Sequence, residues 1–120
     1  TELLNSIERN FIPMSNVCKG IEHFLKLSES YLDKSPYNLC SKKSHSLKKL
    51  AHLVAARSKV VLGYEVEIFF KSSEGESKNN RGLHLCTKRI EKTGLALQEN
   101  LLQEIDNTLL FCKEHFSSAI

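Results

Sequence analysis

Two cysteine–histidine pairs carry the side chains best suited to chemistry in this chain. One residue lies between His84 and Cys86, and two residues lie between Cys112 and His115. A thiolate and an imidazole can bind zinc, which takes about four ligands in a tetrahedron, and a thiol beside a histidine can act as a nucleophile. If one helix carries both pairs at its ends, roughly 40 Å separates them at 1.5 Å per residue. The two pairs therefore cannot share one ion within a monomer.

The rest of the sequence adds no further catalytic or cofactor-binding feature. Cys40 could converge with Cys112 and His115, but we identify no fourth zinc ligand. The chain has no glycine-rich oxyanion loop, P-loop, dinucleotide fingerprint, HExxH or GxSxG motif. We therefore predict a protein that is not an enzyme, with no catalytic residue, no cofactor and no metal.

A group of basic residues is the most suggestive surface. Lys42, His45, Lys49 and His52 are spaced by three, four and three residues, which places them on one face of a helix. Such a face can dock phosphate, an acidic peptide or nucleic acid, or it can be a solvated face balanced by an acidic helix opposite. Two more lysines are near, and we predict that six residues form the partner-binding set: Lys42, His45, Lys48, Lys49, His52 and Lys59.

Apolar periodicity predicts that helices position these residues. Hydrophobic residues recur at three- and four-residue spacing in four segments, roughly 3–11, 15–35, 37–68 and 83–116. Pro13 and Pro36 end the first two, and Ser15 is the expected N-cap of the second. Leu97, Leu101 and Ile105 are expected to be buried at the centre of the last helix. Residues 71–82 contain almost no apolar side chain, so we predict an exposed flexible loop there.

These segments predict an all-α protein, an antiparallel helical bundle of about four helices with a long C-terminal helical hairpin, in a single domain spanning residues 1–120. Folding about the 71–82 loop would place Cys40 level with Cys112, and the basic 36–59 segment beside the acidic 91–114 segment. The alternative is a β-hairpin of residues 64–70 and 83–87, because Tyr64, Val66 and Ile68 alternate with glutamates. An isolated hairpin is only marginally stable in water, and no third strand is evident.

The composition is that of an ordinary soluble domain, with 41% hydrophobic and 26% charged residues. No apolar run is long enough to span a bilayer. The four cysteines contain no CxxC pair; they fit two disulfides in a secreted protein or four reduced thiols in an intracellular one. Because the chain begins at Thr1, we expect it to be part of a larger protein.

The predicted function is protein–protein interaction, as a scaffold or adaptor module of an intracellular protein, cytoplasmic or nuclear. The partner would be an acidic segment or an amphipathic helix, docked in a groove between helices or on the basic face. One alternative is a secreted four-helix ligand of the cytokine type. Another is binding of nucleic acid or anionic lipid through the basic face. A net charge of only +3 and the absence of aromatic residues among the lysines argue against nucleic acid. The oligomeric state is not predicted.

Overall fold

The computed structural model describes residues 8–70 and 84–117. Within these ranges the chain forms four α-helices and two very short strands, with a 3-10 turn at Glu29–Tyr31. The prediction of a mostly helical protein is confirmed, but the bundle topology is not. In chain order the elements are β1 (Glu8–Arg9), α1 (Met14–Lys26), β2 (His45–Ser46), α2 (Leu47–Leu62), α3 (Lys88–Lys92) and α4 (Leu101–Phe116).

The segment before α1 is extended rather than helical. Glu8 pairs with Ser46 and Arg9 with His45 in an antiparallel two-stranded ladder. Asn10 holds the next stretch through both of its amide atoms: Nδ2 donates to the Ser41 carbonyl at 2.7 Å, and Oδ1 accepts from the Ser41 N–H at 2.8 Å. The predicted first helix is therefore wrong for residues 8–13, since their polar groups find partners across the fold. Residues 1–7 lie outside the described ranges.

Helix α1 begins one residue before the predicted Ser15 cap and ends well before Pro36. Pro13 occupies its N-cap position, and Leu27 at the other end is extended. Gly20 is buried on its inner side, where an added Cβ would lie 2.7 Å from a methyl carbon of Leu39. The glycine thus allows the extended 37–41 segment to pack close to the helix.

Helix α2 is shorter than the predicted span of 37–68. The Ser46 side chain caps its start by accepting the Lys49 N–H at 3.1 Å. Gly63 ends it in the left-handed conformation, with φ of 82°, and donates its N–H to the Lys59 carbonyl at 3.2 Å. Residues 64–70 and 84–87 are neither helix nor strand. The β-hairpin alternative is therefore not seen in the described residues; Leu83 and the 71–82 loop lie outside them.

The predicted continuous last helix is wrong, because it is divided into α3 and α4. Gly94 adopts φ of 93° two residues after α3 ends, and helical geometry resumes only at Leu101. Between the two helices, the Gln98 carbonyl accepts a hydrogen bond from Asn16 Nδ2 at 2.8 Å. Long-range bonding of this backbone replaces the local bonds that a continuous helix would have made.

The core is small. Cys40, Ile90 and Leu95 are at most 8% exposed and line one small internal cavity. Ile105, at 9%, is the buried apolar residue of α4. Leu97 and Leu101 are only half-buried, so the expectation that they lie in the core is wrong. Leu97 precedes α4, and Leu101 lines an open groove.

The main helix–helix contact joins α2 to α4. Arg57 donates two hydrogen bonds to the Asp106 carboxylate, both of 2.7 Å. One turn earlier in α2, Leu53 shares a cavity wall with Leu101 and Gln103. Leu53 and Arg57 thus both lie on the side of α2 that faces the first half of α4. The predicted antiparallel arrangement is not confirmed.

None of the four cysteines forms a disulfide, and only Cys40 is buried. Burial raises the pKa of the Cys40 thiol, and the nearby Cys86 thiolate raises it further. Cys86, rather than Cys112, is thus the cysteine that interacts electrostatically with Cys40. In residues 8–70 and 84–117, no helix combines the length and the hydrophobicity needed to cross a membrane.

Candidate partner-binding clefts

The described structure contains an open groove of about 680 Å³, which we call the apolar groove. That volume is in the range of small-ligand and side-chain pockets. Its floor is formed by the segment before α1, the middle of α2 and the first turn of α4. Five apolar side chains line it: Phe11, Pro13, Leu53, Leu101 and Leu102.

Two asparagines hold the wall of the apolar groove in place. Asn16, only 2% exposed, donates from Nδ2 to the Gln98 carbonyl. Asn100 donates from Nδ2 to Ser15 Oγ at 3.1 Å and makes no side-chain cap on α4. These bonds join the start of α1 to residues 98–100. They therefore position the first turn of α4, which supplies Leu101 and Leu102 to the groove.

A second, smaller cavity adjoins the apolar groove, and we call it the basic cleft. It has a volume of about 230 Å³ and shares Ser41, Lys43 and His45 with the groove. Its other lining residues come from β1, from the start of α2 and from the segment before α3. Five of the residues around it are basic: Lys42, Lys43, His45, Lys49 and His84. One acid, Glu8, also lines it.

The structure brings three of the six predicted site residues together, but not on the single helix that was predicted. Lys42, His45 and Lys49 all line the basic cleft. Only Lys49 is in α2, because the helix starts at Leu47. The prediction of one shared helix face is therefore wrong; pairing of β2 with β1 and the turn into α2 gather these residues instead.

The other three predicted residues lie elsewhere. His52 and Lys59 line a separate cleft of about 440 Å³, where the His52 ring centroid is 6.2 Å from that of Phe70. Lys59 forms an ion pair with Glu65. Lys48 is exposed and lines neither the groove nor the basic cleft. The predicted set thus divides between the basic cleft, the separate cleft of His52 and Lys59, and the exposed position of Lys48.

Ion pairs neutralise part of the charge in the basic cleft. Lys42 Nζ is 3.3 Å from Glu91, and Lys43 Nζ is 2.8 Å from Glu99. The pKa of Glu91 is lowered by the Thr87 hydroxyl and by Lys42, and the bond to Glu99 raises the pKa of Lys43. In the part of the chain that the structure describes, Lys49 forms no ion pair. Its ammonium is therefore the cation of the cleft that remains available to a partner.

The two cysteine–histidine pairs are exposed and lie apart from one another along the chain. His84 lines the basic cleft. His115 donates from Nδ1 to the Phe111 carbonyl at 2.9 Å, and its ring stacks on Phe111 with centroids 4.1 Å apart. The imidazole of His115 is thus engaged by Phe111 rather than by Cys112. Within residues 8–70 and 84–117, no three His, Cys, Asp or Glu side chains are grouped so as to hold a metal ion.

Sequence reasoning missed several residues of these clefts. Phe11 had been assigned to a helix, His84 was considered only as a zinc ligand beside Cys86, and Ser41 and Asn100 carried no recognisable motif. Lys43 stands beside Lys42 in the sequence, and this adjacency is the one signal that could have included it. The remaining contributors are far apart in sequence, so only the folded chain shows that they share a cavity.

Comparisons with protein-family models, with curated proteins and with solved structures find no match for this chain. The shape and chemistry of the apolar groove and the basic cleft are therefore the basis for assigning a function.

Proposed function

We propose that this chain is a non-enzymatic interaction module that binds an amphipathic protein segment carrying an acidic residue. One observation carries this proposal: the apolar groove and the basic cleft adjoin, with Ser41, Lys43 and His45 shared between them. A segment lying across both would place apolar side chains in the first and a carboxylate in the second. Recognition of an amphipathic segment by a groove that includes helices is a common binding mode.

The apolar half of the site supplies the binding energy. Leu102 lines the groove and is 50% exposed. A partner side chain would remove apolar area of this leucine and its neighbours from water, which contributes about 25 cal/mol per Å². Gln98, Glu99 and Asn100 at the groove margin add polar groups that can orient the partner backbone.

The basic half supplies orientation and selectivity. Lys49 has no acidic partner in the described residues, and the imidazoles of His45 and His84 are further hydrogen-bonding groups in the same cleft. Exposed charge pairs are screened over about 10 Å at 0.1 M salt. An acidic partner should therefore bind more weakly as salt rises, whereas a purely apolar one should not.

We place this module in an intracellular protein, for which four free thiols are suitable. Thiol titration of the natural protein under denaturing, non-reducing conditions tests this placement. Four reactive thiols support it. The absence of reactive thiols would support the secreted four-helix ligand instead.

The binding proposal can be tested with peptides selected from a random display library on the purified chain. Selected peptides should combine apolar residues with Asp or Glu, and calorimetry should show weaker binding at higher salt. Leu102→Asp, in the groove, and Lys49→Glu, in the basic cleft, should each reduce affinity by at least about tenfold, the equivalent of 1.4 kcal/mol.

Matched controls are available on the same helices. Leu110→Asp changes a leucine of α4 that is 44% exposed and lies outside the groove. Lys48→Glu reverses the neighbouring charge on α2 outside the basic cleft. Both controls should retain affinity. If all four variants bind the peptides equally, or if selection favours Lys and Arg over acids, the proposal is wrong. Stronger binding of duplex DNA or anionic vesicles than of the peptides would favour the nucleic-acid or lipid alternative.

A further inference from the structure

Ser35 stands in a setting that the proposed function does not use. The chain has two prolines, at 13 and 36, and Pro13 follows Ile12. Ser35 is therefore the only serine or threonine in this sequence that precedes a proline. Residues 33–36 are exposed and outside any helix or strand. The chain bends at Lys34 and Ser35, although a residue before a proline is biased toward the extended backbone that kinases bind.

The hydroxyl of Ser35 is accessible, while the backbone around it is fixed. The Ser35 N–H donates to Asp33 Oδ1 at 2.9 Å. The structure shows no hydrogen bond of Ser35 Oγ to another described residue. By contrast, Ser28 and Ser30 on the same stretch bond to each other through their hydroxyls at 3.1 Å.

One guanidinium lies across this segment. Arg89, from α3, donates from Nη2 to Asp33 Oδ1 at 2.5 Å and from Nη1 to the Pro36 carbonyl at 2.9 Å. Its Nη2 is also 3.4 Å from the Ser35 carbonyl, and its Cζ lies 4.9 Å above the Tyr37 ring. An arginine already held beside a serine is the arrangement that can receive a phosphate on that serine.

We propose that Ser35 is a phosphorylation site for a proline-directed serine/threonine kinase, and that Arg89 binds the resulting phosphate. In the reaction Ser35 Oγ forms a bond to the γ-phosphorus of ATP. The bond between that phosphorus and the β,γ-bridging oxygen breaks, ADP leaves, and the hydroxyl proton passes to the catalytic aspartate of the kinase. No other co-reactant is needed besides the magnesium that accompanies ATP.

The phosphate would compete with Asp33 for Arg89. It carries about −1.5 to −2 charges and three acceptor oxygens at neutral pH, against one charge on the carboxylate. The hydrogen bond from the Ser35 N–H, and after it Arg89, at present lower the pKa of Asp33. Transfer of the guanidinium to the phosphate would leave Asp33 without its ion pair and repelled by the new anion. Modification would thus change how the 33–37 segment is held against α3.

Incubation of the purified chain with a cyclin-dependent kinase and Mg-ATP tests the site, with peptide mapping by mass spectrometry. We expect one phosphoryl group, on Ser35, and none in Ser35→Ala. Pro36→Ala keeps the hydroxyl but removes the proline; it should be phosphorylated at least about tenfold more slowly, as for loss of one specificity contact. Phosphate on another serine in place of Ser35, no incorporation, or equal rates for Pro36→Ala would overturn the assignment.

Phosphorus NMR tests the role of Arg89. A nearby cation favours the dianion and lowers the second pKa of phosphoserine from its usual value of about 6. Arg89→Gln should raise that pKa by about half a unit, given the small energies of exposed pairs. Lys92→Gln, an exposed change on the same helix, should leave it unaltered.

A second comparison needs no variant. The phosphoserine pKa of the folded wild-type chain should lie below that of the same chain in urea, where Arg89 no longer faces it. Equal pKa values in the folded and unfolded chains would contradict phosphate binding by Arg89, even if Arg89→Gln failed to fold. Equal pKa values in wild type and a folded Arg89→Gln would contradict it directly.

Discussion

The two halves of α4 share one apolar pattern but have different surroundings. In the first half, Ile105 is 9% exposed and Asp106 is bound by Arg57. In the second half, every residue from 110 to 116 is exposed, including Phe111 at 52% and Phe116 at 56%. A periodic apolar stripe therefore shows which side of a helix can be buried. The neighbouring element decides how much of that side is buried.

The neighbour in this case is α2, which ends at Leu62. Leu53 lines the same cavity as Leu101, and Arg57 binds Asp106, so α2 packs against the first half of α4. The last turns of α4 lie beyond these contacts, and their apolar residues are left exposed.

The largest effect should come from a truncation in the buried half of α4. Ile105→Ala should lower the free energy of unfolding by about 2–5 kcal/mol, because it removes buried methyl groups and leaves a cavity. Urea denaturation measures this change. Phe116→Ala, on the same stripe in the exposed half, should change stability by less than about 0.5 kcal/mol. An equal loss of unfolding free energy in the two variants would show that both halves of α4 are buried to a similar extent.

A change at Gly63, which ends α2, should lower stability less than Ile105→Ala does. An added Cβ meets no atom within 4 Å there, so the cost of Gly63→Ala is the backbone strain of φ +82° alone. That strain is about 1 kcal/mol. Gly63→Asn should cost less, since asparagine adopts this conformation more readily. Thermal unfolding of both variants provides the test, and an alanine variant as stable as wild type would show that the cap is not strained.

The Arg57–Asp106 pair should make part of the stability depend on acid pH. The hydrogen bonds from Arg57 lower the pKa of Asp106 below its ordinary value. The contribution is therefore fully present above the unfolded pKa, about 3.9, and is lost as pH falls through the lower folded pKa. Asp106→Asn keeps the shape without the charge, so its melting temperature should decrease less than that of wild type over this range. Parallel melting curves for the two proteins would contradict the role of the pair.

The smallest effect is expected at the aromatic cluster of the exposed half. Phe111 stacks on His115 and lies edge-on to Phe116, with centroids 6.3 Å apart in the second pair. Because all three rings remain largely in water, Phe111→Ala should change the free energy of unfolding by less than about 0.5 kcal/mol. Chemical denaturation with tyrosine fluorescence measures this. A loss comparable with that of Ile105→Ala would mean that the cluster is part of the core.

The sequence predicted helical content correctly and helix boundaries poorly. Ser46 and Gly63 are strong local signals for a start and a stop, but an apolar pattern that continued through both obscured them. Gly94 lies within the apolar pattern of the last segment, and that pattern gives no sign of its left-handed φ. Periodicity reports which positions are apolar and contains no information on where the backbone leaves the helix.

For the candidate site, the sequence did not predict position. Lys42, His45 and Lys49 were grouped as one helix face, whereas the structure places them around one cavity. The apolar half of the site was not predicted, because Phe11, Leu53 and Leu101 come from three distant segments. No spacing rule connects residues that meet only through tertiary contacts.

The sequence by itself determined the local features of this protein: the helical segments, the cap at Ser46, the turn at Gly63 and the end of helical structure before Pro36. Each depends on backbone groups and side chains within a turn of one another, so neighbours in sequence suffice to specify them. Tertiary structure alone decided the pairing of β1 with β2, the relative course of α2 and α4, and the joining of a groove to a basic cleft. These features depend on contacts between residues that are far apart in sequence. Such contacts bury apolar surface and form hydrogen bonds only when the rest of the chain is folded.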